Sequence, residues 1–333
     1  MTVTTTVMPL TWVPFQHLGA RAAAALTGHC DPEQLRPADL DAVVEIITAD
    51  AVRASRSGKD EPGWAWYLAL SAAYPNSPVT HHTYRRKPVA EQTEAVRALF
   101  TEHPGPYPVM PCWACGQETT HRWGKPLLPG AESPQHINRQ PAGGQPVCRP
   151  CRIAVWAMPY AAICDGRTLT TLHAPGDGTA AQAVVQELVA YNRSAIDQEW
   201  SRWPERSRAD TALRLVVDHP TDYEIYQWRN DNREPEGRLT ILDGFTARWA
   251  ARTRANAENW AGLRRLAERG DRPVLSLLTT ERGSGWGPEM GLIALAADAA
   301  REGDPHDPAS MNEAALLGNV ALSYAEEQEA HNG

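Results

Sequence analysis

The sequence is most constrained between Pro111 and Arg152, where two C-x2-C pairs, Cys112 with Cys115 and Cys148 with Cys151, stand either side of a Pro-, Gly-, Asn- and Gln-rich stretch. A C-x2-C turn presents two thiols from one short segment. Two such turns complete the four-sulfur tetrahedron that Zn²⁺ prefers, and the spacing is that of a zinc ribbon rather than a redox dithiol. The stretch holds too few apolar residues to build a core of its own, so metal binding has to supply its folding energy. Four thiolates around one Zn²⁺ carry a net charge of about −2, which places cations such as Arg122, Lys125, Arg149 and Arg152 favourably. A set of four sulfurs leaves no position for water, so the expected ion is structural.

The 333 residues suffice for two modest domains. We expect an α+β architecture: a mixed N-terminal domain over 1–178, with the ribbon inserted at about 108–155, then a mainly α-helical domain over 179–333. No run of apolar residues is long enough for a membrane span, and the first residues lack a basic start and apolar stretch, so a cytoplasmic protein with no membrane partner is expected. Cys30 and Cys164 read as plain buried thiols. The net charge of −8 excludes a protein that coats nucleic acid through a global positive field, so any such contact must be local. Of the 32 basic residues only Lys59, Lys87 and Lys125 are lysines, and arginine is the side chain suited to bidentate phosphate and base contacts.

Along the chain, residues 1–17 read as extended, and an Ala-rich helix runs from Leu18 to Gly28. Pro37 opens an amphipathic helix with Leu40, Val43, Val44, Ile47 and Ala51 inward and Asp39, Asp41, Glu45 and Asp50 on its solvated face. Trp64–Ala73 is a buried segment of either type. His81 and His82 face opposite ways if they lie on a strand, and Arg85, Arg86 and Lys87 after them are candidate phosphate contacts. Val89–Phe100 forms a helix, the run after Cys151 docks the ribbon on the core, and Gly166–His173 is a strand. Further on, a helix runs to about Trp200, where Trp200 and Trp203 with Arg202, Arg206 and Arg208 either anchor a helix or bind bases. Arg238–Leu242 is a strand, and Thr246–Arg269 is one long, net-basic helix with Arg254 and Arg265 sharing a face, a second candidate nucleic-acid contact after the ribbon loop, on the side away from Trp249, Thr253, Asn256 and Trp260. Gly283, Gly285 and Gly287 form a turn, and Ser310 with Glu313 caps a last helix that frays into an acidic tail.

An order of signals runs through the first half: TWVPFQHLGARAAAAL, YPNSPV, CWACG, the loop PLLPGAESPQHINRQPAGG, VCRPCRIAVWAMPYA, and TLH. It resembles the CXXC-CXXC large subunit of the type I-B CRISPR surveillance complex, Cascade, or a compact relative such as the type IV zinc-finger large subunit. The resemblance implies a non-enzymatic subunit that meets the backbone and crRNA-capping subunits and the crRNA 5′ handle. It also implies recognition of a PAM in target double-stranded DNA, help in opening that duplex, and docking of a separate helicase-nuclease. Sequence specificity then rests on RNA–DNA pairing, and the protein needs only local contacts. By residue type and placement in the loop, Asn138, Arg139 and Gln140 are candidates for base edges or groove width, and Arg122 and Lys125 for phosphate. Two other classes remain open. An HNH-like nuclease would use His136 and Asn138 beside the cysteine pairs, but it lacks a second ligand pair and an open metal site. A zinc-ribbon transcription or assembly factor would bind protein alone.

Overall fold

The computed structural model describes residues 7–74, 77–102, 108–123, 145–203, 208–229, 236–281 and 287–332. The fold is mixed α+β with a helical C-terminal region and small sheets. Strands β1 (Met110–Pro111) and β2 (Glu118–Thr119) form one antiparallel pair, and β3 (Arg122–Trp123) and β4 (Gln145–Pro146) form another. A five-stranded sheet has the order β5 (Ile163–Asp165), β6 (Thr168–His173), β7 (Tyr223–Arg229), β8 (Glu236–Leu242), β9 (Thr280–Glu281). Backbone contacts divide the chain into one unit of 1–171, 182–204 and 226–238, and a second of 172–181, 205–225 and 239–333.

The first unit is built around the helix Arg149–Ala157. Its residues Ile153 to Ala157 and the following Met158 are all apolar and at most 1% exposed, so the second half of the helix is enclosed on every side. Trp156 stacks on Tyr74 at 4.0 Å and meets Phe100 edge-on at 5.9 Å, and the Tyr74 hydroxyl donates to the Val155 carbonyl at 2.5 Å. The helix Pro14–Leu26 lies against it. Leu18, Ala20, Ala22, Ala23 and Ala24 are wholly buried there, and Gly19 sits on the Ala154 carbonyl so closely that an added Cβ would stand 1.7 Å from the oxygen. This helix begins at Pro14 rather than Leu18, because proline without an N–H is at home in a first turn. Buried Gln16 holds the preceding segment by donating to the Pro9 carbonyl at 2.6 Å and accepting from Thr11.

The helix Pro37–Ser55 has the expected inward stripe, but its acidic face is engaged rather than simply solvated. Asp41 pairs with Arg149 at 2.5 Å, and Glu45 takes both guanidinium arms of Arg97. Asp50 is buried, accepting from the Tyr160 hydroxyl at 2.8 Å, from Arg53 at 3.1 Å and from Arg193. Trp64–Ala73 is a helix.

In the second unit, the stretch read as one helix from Thr246 to Arg269 is two, Gly244–Ala255 and Ala257–Arg269. Asn256 breaks it with extended backbone, and its side chain accepts from the N–H groups of Glu258 and Asn259 at 3.0 and 3.1 Å. An Asn side chain offers the backbone this cap as an alternative to helix continuation. The last helix runs Pro308–Asn332, and its cap is Asp307, not Ser310. The Asp307 carboxylate accepts from the Ala309 and Ser310 N–H groups and from the Ser310 hydroxyl. Tyr324 of this helix meets Trp249 edge-on at 4.9 Å and shares a hydrogen bond with Thr246 at 2.7 Å. No helix among the described residues is long and apolar enough to cross a membrane.

Candidate metal centre

The first cysteine pair is set by a tight turn between β1 and β2. The Cys112 N–H donates to the Gln117 carbonyl at 2.7 Å and the Gly116 N–H to the Cys112 carbonyl at 2.8 Å. Gly116 closes this knuckle at φ +77°, a left-handed conformation that glycine adopts without a Cβ penalty. The second pair comes from a helix start rather than from a second knuckle. Cys148 is the N-cap of Arg149–Ala157 and Cys151 its third residue, with Pro150 in the first turn where its missing N–H costs nothing. The two halves are joined by backbone bonds from Trp113 N–H to the Pro146 carbonyl at 3.0 Å and from Val147 N–H to the His121 carbonyl at 3.1 Å.

All four sulfurs lie within 4.8 Å of one another, and those of Cys115 and Cys148 are 3.5 Å apart. A tetrahedron with metal–sulfur bonds of about 2.3 Å has edges of about 3.8 Å, so the sulfurs already stand close to ligating distance. Cys112, Cys148 and Cys151 are buried, and Cys115 is half-buried. They form the one group among the described residues able to hold a metal ion, and one ion fits it. Crowding couples their protons. The Cys112 thiol is lowered by S–H donation from Cys115, then from Cys148 and Cys151, whereas Cys148 is raised by its bonds to Cys112 and Cys115. Cys151 is raised likewise by Cys112, Cys115 and Cys148. A cation in the middle would replace the shared protons, and the N–H groups of the helix start would favour the resulting thiolates.

The arginines near the cluster serve its frame. Arg149 donates to the Phe100 carbonyl at 2.9 Å besides pairing with Asp41. Arg152, 1% exposed, donates to the Leu99 carbonyl and, at 3.2 Å, to Thr101, while burial pushes its pKa down to about 10. Two long side chains thus tie the ligand-bearing helix to the turn Ala98–Phe100 and the residues after it. The Arg122 guanidinium lies 2.5 Å from the Met110 sulfur.

The other candidate residues are placed as follows. Lys125, His136, Asn138, Arg139 and Gln140 lie outside the described residues, as do Arg206, Gly283 and Gly285; β3 and β4 pair at the two ends of 124–144. His81 caps the four-residue helix His82–Arg85, and neither histidine belongs to a metal cluster. Arg85 donates to the Ser55 and Ser57 carbonyls, both at 2.7 Å, and lies over the Tyr67 ring at 4.2 Å, so packing accounts for it. Arg86 is exposed, and Lys87 pairs with Glu91 at 3.6 Å. Trp203 donates to the Ala65 carbonyl at 3.1 Å and packs with Tyr191 and Trp200, the anchoring arrangement; Arg202 pairs with Asp60 at 3.0 Å. Arg254 and Arg265 do not share a helix face, because the break at Asn256 separates them, and Arg254 pairs with Asp218 at 3.1 Å. Cys164 is buried and its thiol is raised by burial beyond the ordinary range, but Cys30 is exposed, contrary to expectation.

Sequence reasoning missed Asp50 as a buried hub, since helical spacing alone put it on the polar face. Comparison of the chain with protein-family models, with curated proteins and with solved structures finds no match.

Proposed function

We propose that the four cysteines hold one structural Zn²⁺ and that the protein is a non-catalytic, cytoplasmic recognition subunit of an RNA-guided CRISPR surveillance complex. In this reading it meets the crRNA 5′ handle and the neighbouring subunits, inspects the PAM duplex, and leaves cleavage to a separate helicase-nuclease. The observation that carries the reading is the cluster of four sulfurs at the start of a helix buried from Cys151 onward. Thiolates in this number suit Zn²⁺, and a saturated tetrahedron has no open position at which to activate water. A metal so placed fixes the base of 124–144, whose ends are paired through Arg122↔Pro146 and Trp123↔Gln145. Within that span Lys125, Asn138, Arg139 and Gln140 supply the side-chain types that contact phosphates and base edges. A chain of net charge −8 is compatible with such local contact, because base pairing by the guide carries the sequence information.

The test is to purify the tagged protein gently from its native host and sequence the RNA that accompanies it. Short RNAs sharing one repeat-derived 5′ handle, together with several partner proteins, are the expected result. Metal-loaded protein emerging with neither RNA nor partners overturns the reading and leaves a protein-binding ribbon factor.

A further inference from the structure

The second unit contains a cleft of about 340 Å³, within the size range of small-molecule sites. The helices Arg208–Asp218, Gly244–Ala255 and Ala257–Arg269 and the short helix Val274–Leu278 each contribute to its lining. Leu213, Val217 and Val274 supply apolar surface, and Trp260 adds a partly exposed indole. Around them stand three guanidiniums, Arg214, Arg254 and Arg264, and one carboxylate, Asp210.

The chain assembles this set by breaking a helix. Six residues apart on a continuous helix, Arg254 and Trp260 would be about 120° apart; the turn at Asn256 brings both to one cleft. Trp260 and Arg264, four apart, then share a face of the second helix. Asp218 pairs with Arg254 at 3.1 Å and with Arg214 at 3.5 Å, which holds the two guanidiniums in place. Arg264 is exposed and makes no ion pair or hydrogen bond with any described residue. Arg264 is therefore the cation that a phosphate would meet without displacing an ion pair to a described residue.

We propose that this cleft binds a nucleotide, its base stacked on Trp260 and its phosphate held by Arg264 with Arg254 and Arg214. An aromatic face beside a cluster of arginines matches the two parts of a nucleotide, and stacking is tolerant of base identity. The site uses residues of the second unit alone and does not rest on the ribbon reading; the RNA co-purification above can fail and this binding survive.

The experiment uses the full, metal-loaded chain. Binding of fluorescein-labelled 12-mers of U and of dT is followed by anisotropy, and UMP and AMP by calorimetry, for wild type, Trp260→Ala, Trp260→Phe, Arg264→Glu and Arg265→Glu. Melting curves confirm that each variant is folded. We expect Trp260→Ala to weaken binding about tenfold or more and Trp260→Phe to restore most of it. Arg264→Glu lowers affinity and the salt slope more than Arg265→Glu, the adjacent residue with the same charge change. Binding of UMP or AMP identifies a free nucleotide as sufficient, binding of the 12-mers alone identifies a strand as the source, and both support the site. Equal losses in the two Arg variants, unchanged binding in folded Trp260→Ala, or no binding of any probe by wild type overturns it.

Discussion

Replacing Gly19 by alanine adds one methyl group at the closest approach of the helices Pro14–Leu26 and Arg149–Ala157. That methyl carbon would stand 1.7 Å from the Ala154 carbonyl oxygen and 2.4 Å from its carbon, both backbone atoms with no rotamer to yield. Ordinary C···O contact is about 3.3 Å, so the helices must separate locally by roughly 1.6 Å. Overpacking of this kind costs about 3 kcal/mol at the upper end of its usual range. Alanine returns about 1 kcal/mol through its better helix propensity, which leaves a net loss of about 2 kcal/mol. For a unit of this size that corresponds to a fall of about 4–8 °C in Tm. Because the displaced helix begins with Cys148 and Cys151, the variant should also surrender its metal to a chelator at lower chelator concentration. Urea and thermal denaturation measure the first effect, and a metal-competition titration the second. Gly291→Ala is the control, since its nearest neighbour is Leu277 at an ordinary 3.7 Å, and it should be neutral or slightly stabilising. A Gly19→Ala protein as stable and as metal-retentive as wild type would refute the packing argument.

Four further outcomes follow from particular contacts. Asp50→Ala strands the Tyr160 hydroxyl and takes one partner from Arg193 and Arg53, which keep Asp197, and should cost about 3 kcal/mol in urea denaturation, the low end for a buried ion pair. Tyr160→Phe removes one bond to that carboxylate and should cost about 1.5–3 kcal/mol; the reverse ranking would contradict Asp50 as the hub. Asn256→Ala removes the cap that starts Ala257–Arg269 and should cost about 1 kcal/mol, with a loss of helical circular dichroism on heating. Asp307 is held below the usual carboxylate value by the Ala309 N–H, then by the Ser310 hydroxyl and N–H. Its contribution is therefore complete above the unfolded value of about 3.9 and lost as pH falls through the lower folded value. Wild type and Asp307→Ala should differ in melting temperature at pH 6 and converge near pH 2, and a gap that widens on acidification would be inconsistent with the cap.

The cysteine cluster was legible in the sequence because C-x2-C spacing restricts what four thiols can do wherever the chain takes them. The inward stripe of Pro37–Ser55 was legible for a similar reason: its period is local. Asp50 was not, since spacing says which face a residue lies on and not whether another element covers that face. Gly19 in an alanine run and Asn256 inside a helical pattern both break local rules. The structure shows each break to be a requirement, for close helix approach at Gly19 and for a turn at Asn256. The strand Tyr223–Arg229 went unread, although its burial alternates over Tyr223, Glu224, Ile225 and Tyr226. The basic trio Arg85, Arg86 and Lys87 was read as possible phosphate contact, yet Arg85 is drawn into carbonyls that only the folded chain brings near.

The most direct test is metal stoichiometry combined with thiol accessibility on the purified, reduced protein. One Zn²⁺ per chain is expected, with Cys30 reacting with a thiol reagent at once and Cys112, Cys115, Cys148 and Cys151 reacting only after chelation, when the first unit also loses stability. Co²⁺ substitution should give the intense absorption of a tetrahedral tetrathiolate, and Cys151→Ser should abolish it. A folded, metal-free protein whose four cysteines react as fast as Cys30, and whose stability a chelator leaves unchanged, would contradict the account.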